Sequence, residues 1–177
     1  MKWVKLLFLI LYMVLCTLAW HCLDIELLSV FLLKFVLSIP LCLMITIVIH
    51  ELAHLIMFRL LGICVTEVKI GPLKVDFHFH KRKISICDEK IFRGYCSIAY
   101  PSNYKKSAII GFTAGGISGI IESLISFCIL QNISIRAEAA PFLCCLIIVG
   151  IYSFYTTLLR KKSADNRAID KLMKDDD

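Results

Sequence analysis

The sequence predicts an all-α membrane protein of about four transmembrane helices, with a small β-hairpin or sheet insert at the cytoplasmic face. Three observations predict it. The 177 residues are 59% hydrophobic and 19% charged, with a mean hydropathy of +0.80, more apolar surface than one soluble core of this size can hide. The apolar residues gather into four runs, each long enough for a hydrocarbon layer of about 30 Å. Between the second and third run lies the one sizeable polar insert, about residues 64–106, and part of it alternates as a strand does. Disorder, collagen and a disulfide-stapled secreted module are excluded by the same composition. Residues 1–177 read as a single polytopic membrane domain.

The first span, about 3–20, has Trp3 and Trp20 at its ends, as an interfacial belt would. No small-x-small cleavage site precedes the polar stretch 21–26, so the segment is read as a retained span and not a leader. The second span, about 35–61, follows an apolar stretch, 27–33, expected along the interface. Pro40 should kink it, because proline frees the carbonyl four residues earlier. The third span, about 107–130, carries Gly111, Gly115, Gly116 and Gly119. These form a small-residue face, expected to pack closely against the second span. The fourth runs over about 141–159. Within the insert, Val65–Ile70 alternates and then meets Gly71-Pro72, a strand ended by a turn; 75–86 and 94–100 also read as extended.

Loop charge sets the orientation. The N-terminus has Lys2 and Lys5, the loop after the first span has no Lys or Arg, the insert has nine, the next loop only Arg136, and the tail from Arg160 onward six. Both termini and the insert are therefore expected in the cytoplasm, in a multi-pass integral membrane protein. The net charge of +6 reflects this topology and a contact of Lys81-Arg82-Lys83 with anionic lipid, and no nucleic acid partner is expected. The nine cysteines include no Cys-x-x-Cys pair, which argues for small apolar packing residues over a zinc ribbon or a disulfide framework.

The chemistry is concentrated in the second span, at His50-Glu51-Leu52-Ala53-His54. Histidines four residues apart on a helix lie about 40° apart around its axis, so both imidazoles reach one ion. Glu51, one position on, can hold a water without ligating the metal, the arrangement of a zinc peptidase with a carboxylate general base. Three ionisable groups on one turn at hydrocarbon depth are costly unless they serve a site. The bland alternative is a pair of histidines hydrogen-bonded to neighbouring helices beside a neutral Glu51.

The stretch from Ile47 to His54, inside a transmembrane helix, resembles the site-2 protease family of intramembrane zinc metalloproteases. Gly62, then Val65 to Pro72, and Gly94-Tyr95 are similar to the extended segments that family places after its active-site helix, and Ala114-Gly115-Gly116 resembles its Ala-Gly-Pro element with Gly in place of Pro. The resemblance covers roughly residues 36 to 170, a small member with no room for a PDZ domain. It implies a third zinc ligand, an Asp in an Asp-Gly motif near the last core helix. Asp165-Asn166 stands in that place, and Asn166 tolerates the left-handed backbone a glycine would supply. Asp165 has a second reading as an N-cap of a tail helix.

Together these residues imply a zinc metalloendopeptidase in which His50, His54 and Asp165 bind Zn2+ and Glu51 is catalytic. Its substrate would be a transmembrane or membrane-associated peptide, and a regulatory membrane partner is left open. Two rival functions remain: a proteolytically inactive family member that binds or assists other membrane proteins, and an ion-transport subunit. Glu122, an acid at membrane depth, is the competitor to Asp165 as third ligand. His78 and His80 share a strand face and read as solvated side chains.

Overall fold

The computed structural model describes residues 28–78, 81–86, 93–99, 105–132, 136–159 and 164–174. The expected first span, 3–20, lies outside the described residues. Within them are four α-helices, α1 (Leu28–Leu60), α2 (Lys105–Asn132), α3 (Arg136–Phe154) and α4 (Ala164–Lys174), and four strands, β1 (Val65–Ile70), β2 (Leu73–His78), β3 (Lys81–Ile86) and β4 (Gly94–Ile98). A π-helical segment, Tyr155–Leu159, continues α3. Three helical stretches are long and apolar enough to cross a membrane: Ser29–Leu60, Lys105–Gln131 and Ala139–Leu159.

The helices agree with the expected second, third and fourth spans, with one correction. Residues 28–33 do not form a separate interfacial element; they are the start of α1, which continues through Pro40 to Leu60. An unbroken run this apolar gains its backbone hydrogen bonds internally, the only arrangement hydrocarbon tolerates. Ser38 returns its hydroxyl to the Lys34 carbonyl at 2.7 Å, in the turn just before the proline.

The end of α1 is set by glycine. Gly62 has φ 73° and nothing within 4 Å of where a Cβ would stand, so only the left-handed backbone demands glycine there. Gly62 N–H donates to Arg59 O at 3.1 Å and Ile63 N–H to Phe58 O at 2.8 Å, the paired bonds of a Schellman cap. The chain then enters a four-stranded antiparallel sheet of order β3-β2-β1-β4. Gly71-Pro72 makes the two-residue turn between Ile70 and Leu73, which pair across it, and Gly71 takes φ 57°, as the first position of a type II′ turn requires. The extended stretch 75–86 resolves into the β2–β3 hairpin. A bulge between Val65 and Glu67 shifts the β1–β4 register, which is why β1 buries Val65, Val68 and Lys69 and not strictly alternate residues.

Helix α2 is the centre of the bundle, 56% of its most apolar window buried against 22% and 28% in the other two. Its glycines serve two neighbours. Gly111 and Gly115 face α1 as expected, while Gly116 faces Leu158 and Gly119 meets the backbone of Gly150 on α3. The Gly119–Gly150 contact brings the two helix backbones together, and Ser123 spans it by donating to Gly119 O at 2.8 Å and Ile147 O at 3.0 Å. Two apolar clusters hold the rest. One joins Phe58, Ile63, Val65, Val68, Ala108 and Phe112 to Ile169 and Leu172 of α4; the other joins Cys42 to Cys145, Leu146 and Val149. Helix α4 packs on α2 and on the π-helical segment, and the first cluster holds it there, and with it Asp165.

Candidate metal centre

His50 and His54 occupy successive turns of one face of α1, and Asp165 sits in the first turn of α4. The His50 and His54 Nε2 atoms are 3.1 Å apart. Asp165 Oδ2 lies 3.4 Å from the first and 3.7 Å from the second. Among the described residues these three alone form a group of ligand-bearing side chains within 4.8 Å of one another. An ion with nitrogen and oxygen ligands at about 2.0–2.1 Å in tetrahedral array has ligand-to-ligand edges of about 3.4 Å. The observed triangle brackets that value, so the donors present fit zinc in both spacing and chemistry.

The surroundings orient the donors. A carbonyl oxygen can only accept, so the 2.8 Å contact of His54 Nδ1 with Gly111 O puts the ring proton on Nδ1 and leaves the Nε2 lone pair facing the triangle. The ring is 2% exposed and lies between Phe58, stacked at 6.0 Å, and Phe112, edge-on at 6.2 Å. A Cβ on Gly115 would come within 2.4 Å of His54 Nε2 and 2.7 Å of His50 Cε1; glycine is the residue that lets α2 approach the centre. Burial alone would raise the Asp165 carboxyl, but hydrogen bonds and charge from His50 and His54 outweigh it and hold the group well below the usual carboxylate range. His50 Nδ1 and Glu51 Oε2 are buried with no hydrogen-bond partner among the described residues, polar atoms that apolar packing alone would not retain.

Glu51 reaches toward the sheet. Its carboxylate lies against β4, where a Cβ on Gly94 would stand 2.4 Å from Oε1. Glu51 and His50 both line a cleft of about 320 Å³ that runs from Arg93 and Gly94 along α1 to Thr46 and Leu43, with Val149, Tyr152 and Thr157 opposite. The arrangement sets two nitrogen donors and a carboxylate around one point, with a second carboxylate at the adjoining wall of the cleft. Such a set can bind a Lewis-acidic cation and move a proton beside it.

The sequence reading is corrected at two places. Asn166 is not in a left-handed turn: it lies inside α4, and its Nδ2 donates to Leu158 O at 3.1 Å, tying the π-helical segment to the residue beside Asp165. Asp165 is likewise within the first helical turn and turned toward the histidines, where an acid is also favoured by the helix dipole. Glu122 is not brought to the histidines; its Oε1 accepts from Thr46 Oγ1 at 3.0 Å. The side chains of His78 and His80 lie outside those described. Sequence reasoning missed that Gly94 backs Glu51 and that the Gly111 carbonyl bonds His54, contacts between distant segments that no local pattern announces.

A family model, peptidase family M50, matches residues 38–174, the stretch that carries the two histidines, Glu51 and Asp165. No curated protein and no solved structure matches the chain.

Proposed function

The chain belongs to peptidase family M50, the site-2 protease family, and from that premise we propose that it is an intramembrane zinc metalloprotease that hydrolyses peptide bonds in membrane-embedded or membrane-associated segments. The carrying observation is the His50–His54–Asp165 triangle, its two histidines and the adjacent Glu51 on a helix long enough to cross a bilayer. His50 Nε2, His54 Nε2 and Asp165 Oδ2 are the zinc ligands. A zinc ion held there supplies Lewis acidity to water and to the scissile carbonyl.

The protein's own residues then divide the work. Glu51 takes the proton from the attacking water and passes it to the leaving amine nitrogen. The Gly111 carbonyl fixes the His54 tautomer, and α4 holds Asp165 in place through Ile169 and Leu172. The cleft mixes aliphatic side chains (Leu43, Ile47, Val149) with the hydroxyls of Thr46, Ser153, Thr156 and Thr157, and admits an unwound segment along α1. His54 and His50 lie about 9 and 15 Å from the sheet end of α1 at roughly 1.5 Å per residue, so a membrane segment must reach them at hydrocarbon depth. The loop charges put that sheet, and both termini, on the cytoplasmic side.

Cleavage of membrane peptides in proteoliposomes, with and without chelator, tests the reading. Glu51→Gln should keep about one zinc per chain and lose about 10²–10⁴-fold in turnover. Retained zinc with no cleavage by the unsubstituted protein would favour an inactive binding member, and ion flux without zinc would favour a transport subunit.

A further inference from the structure

One cation in the cleft is unused by this mechanism. Arg93 and Gly94 line its sheet-side end, together with His50 and Glu51. Gly94 is the residue against which the Glu51 carboxylate lies, and Arg93, about 3.8 Å of backbone earlier, is exposed. Its main chain is held in place: the Arg93 carbonyl accepts the Gly71 N–H at 3.0 Å, and Gly94 pairs with Ile70 of β1. The neighbouring cations are engaged, Lys74 with Glu67 at 2.9 Å and Asp76 at 3.3 Å, Lys69 over the Tyr95 ring and Arg59 over the Phe77 ring. The Arg93 guanidinium has no ion pair and no hydrogen bond among the described residues. Glu51 does not take it, for Glu51 Oε2 is itself unmet. Among the residues lining the cleft, Arg93 alone brings a permanent positive charge. A guanidinium is a planar fork of donors that matches a carboxylate in two parallel hydrogen bonds.

On the reading of this cleft as the site for a peptide segment, we propose that Arg93 is a specificity-determining residue that takes a carboxylate of the bound segment on the sheet side of the cleaved bond. Arg93 stands one strand residue from the Gly94 contact with Glu51, and an extended segment advances about 3.3 Å per residue. The carboxylate therefore lies about two to three residues from the cut. The loop charges put this end of the cleft in the cytoplasm, where membrane proteins commonly carry Lys or Arg beside their spans. A fixed cation at that point repels such segments and favours the ones that carry Asp or Glu there instead, so it selects by rejection as well as by attraction.

The probe is a fluorophore-labelled Leu/Ala transmembrane peptide with an amidated C-terminus, in which Asp, its uncharged isostere Asn, or Lys is walked across the end that faces the sheet. Binding is measured in phosphatidylcholine proteoliposomes to the Glu51→Gln protein, so that no cleavage intervenes. At one position Asp should bind about fivefold more tightly than Asn, the upper range for an exposed ion pair, and Lys more weakly than either. Arg93→Gln should reduce the Asp preference below about twofold, and Arg93→Glu should reverse it, so that Lys binds best. A structural role for Arg93 would not give that reversal. Asp-free peptides that end in a free carboxylate at the same positions show whether a chain terminus serves as well as a side chain. No preferred position in either peptide set overturns the subsite, and so does a preference that Arg93→Glu leaves intact. Equal weakening of all peptides by Arg93→Glu also overturns it, and places the guanidinium on lipid headgroups or in the fold. Cleavage by the protein with Glu51 in place is scored separately. An Arg93-dependent preference without zinc-dependent cleavage leaves the subsite and removes the protease reading; cleavage without a carboxylate preference does the reverse.

Discussion

Gly115 leaves no room for a methyl group beside His54: a Cβ there would stand 2.4 Å from the ring's Nε2. The ring cannot yield, because it is clamped between Phe58 and Phe112 and bonded to Gly111 O. Gly115→Ala should therefore weaken zinc binding by about 10–100-fold, the usual cost of disturbing a metal ligand's orientation, while the helices stay assembled. Competition with a calibrated chelator measures it; an affinity within twofold of the unsubstituted protein would show that the centre tolerates a shifted ring.

Gly94 has the matching relation to Glu51. A methyl group at Gly94 would meet Oε1, Cγ and Cδ of a side chain that is 4% exposed, so either β4 or the carboxylate must move. Gly94→Ala is expected to keep zinc stoichiometry and lower turnover by at least tenfold, because the base no longer sits where the proton is transferred. Parallel loss of zinc and activity would instead mean that β4 supports the ligands and not Glu51.

Asn166 ties α4 to the π-helical segment through Leu158 O. Asn166→Ala should cost about 1 kcal/mol of stability, the net worth of one part-buried hydrogen bond, and zinc affinity should fall with it because Asp165 is the adjacent residue. Thermal unfolding in detergent, with and without zinc, separates the two. A stability loss at unchanged zinc affinity would place Asn166 in the fold alone.

Cys96 on β4 supplies a pH-dependent readout. Burial first, then the charges of Glu51 and Asp165, push its thiol from an ordinary 9.0 up to about 12. The neutral thiol is thus the form the fold favours. Its contribution to stability is fully present below about pH 9 and is lost as pH rises through about 12. In metal-free protein, alkylation of Cys96 should remain slow at pH 8 to 10 where the unfolded chain reacts readily, as peptide-level mass spectrometry would report. A labelling midpoint near 9 in the folded protein would contradict the placement of β4 against two carboxylates.

Much of this was legible in the residues alone. The second, third and fourth spans followed from run length and hydropathy, the first strand from alternation ended at Gly71-Pro72, and two of the three clustered side chains from a four-residue spacing that only a helix converts into proximity. Asp165 could be reached from the sequence by family resemblance and sidedness; its approach to His50 depends on Ile169 and Leu172 docking α4 into the cluster with Phe58, Ala108 and Phe112, a tertiary effect without a local pattern. Asn166 was misread for a similar reason. An Asn after an Asp suggests a left-handed turn, but the partner that decides its conformation, Leu158 O, belongs to a π-helical segment that no periodicity announces. The apolar stretch 27–33 differed because hydropathy does not distinguish an interfacial helix from the start of a long spanning one.

The central claim is that Asp165, and not Glu122, completes the zinc centre, and zinc affinity in single variants tests it most directly. Two histidines alone leave zinc short of the three protein ligands that catalytic sites use, and the Asp165 carboxylate is the acid within 3.7 Å of both Nε2 atoms. Measured by chelator competition and elemental analysis, the unsubstituted protein and Glu122→Ala should each hold about one zinc per chain. Asp165→Ala should bind at least about 100-fold more weakly. If Asp165→Ala keeps its zinc while Glu122→Ala loses it, the third ligand is Glu122 and the assignment of the centre is wrong.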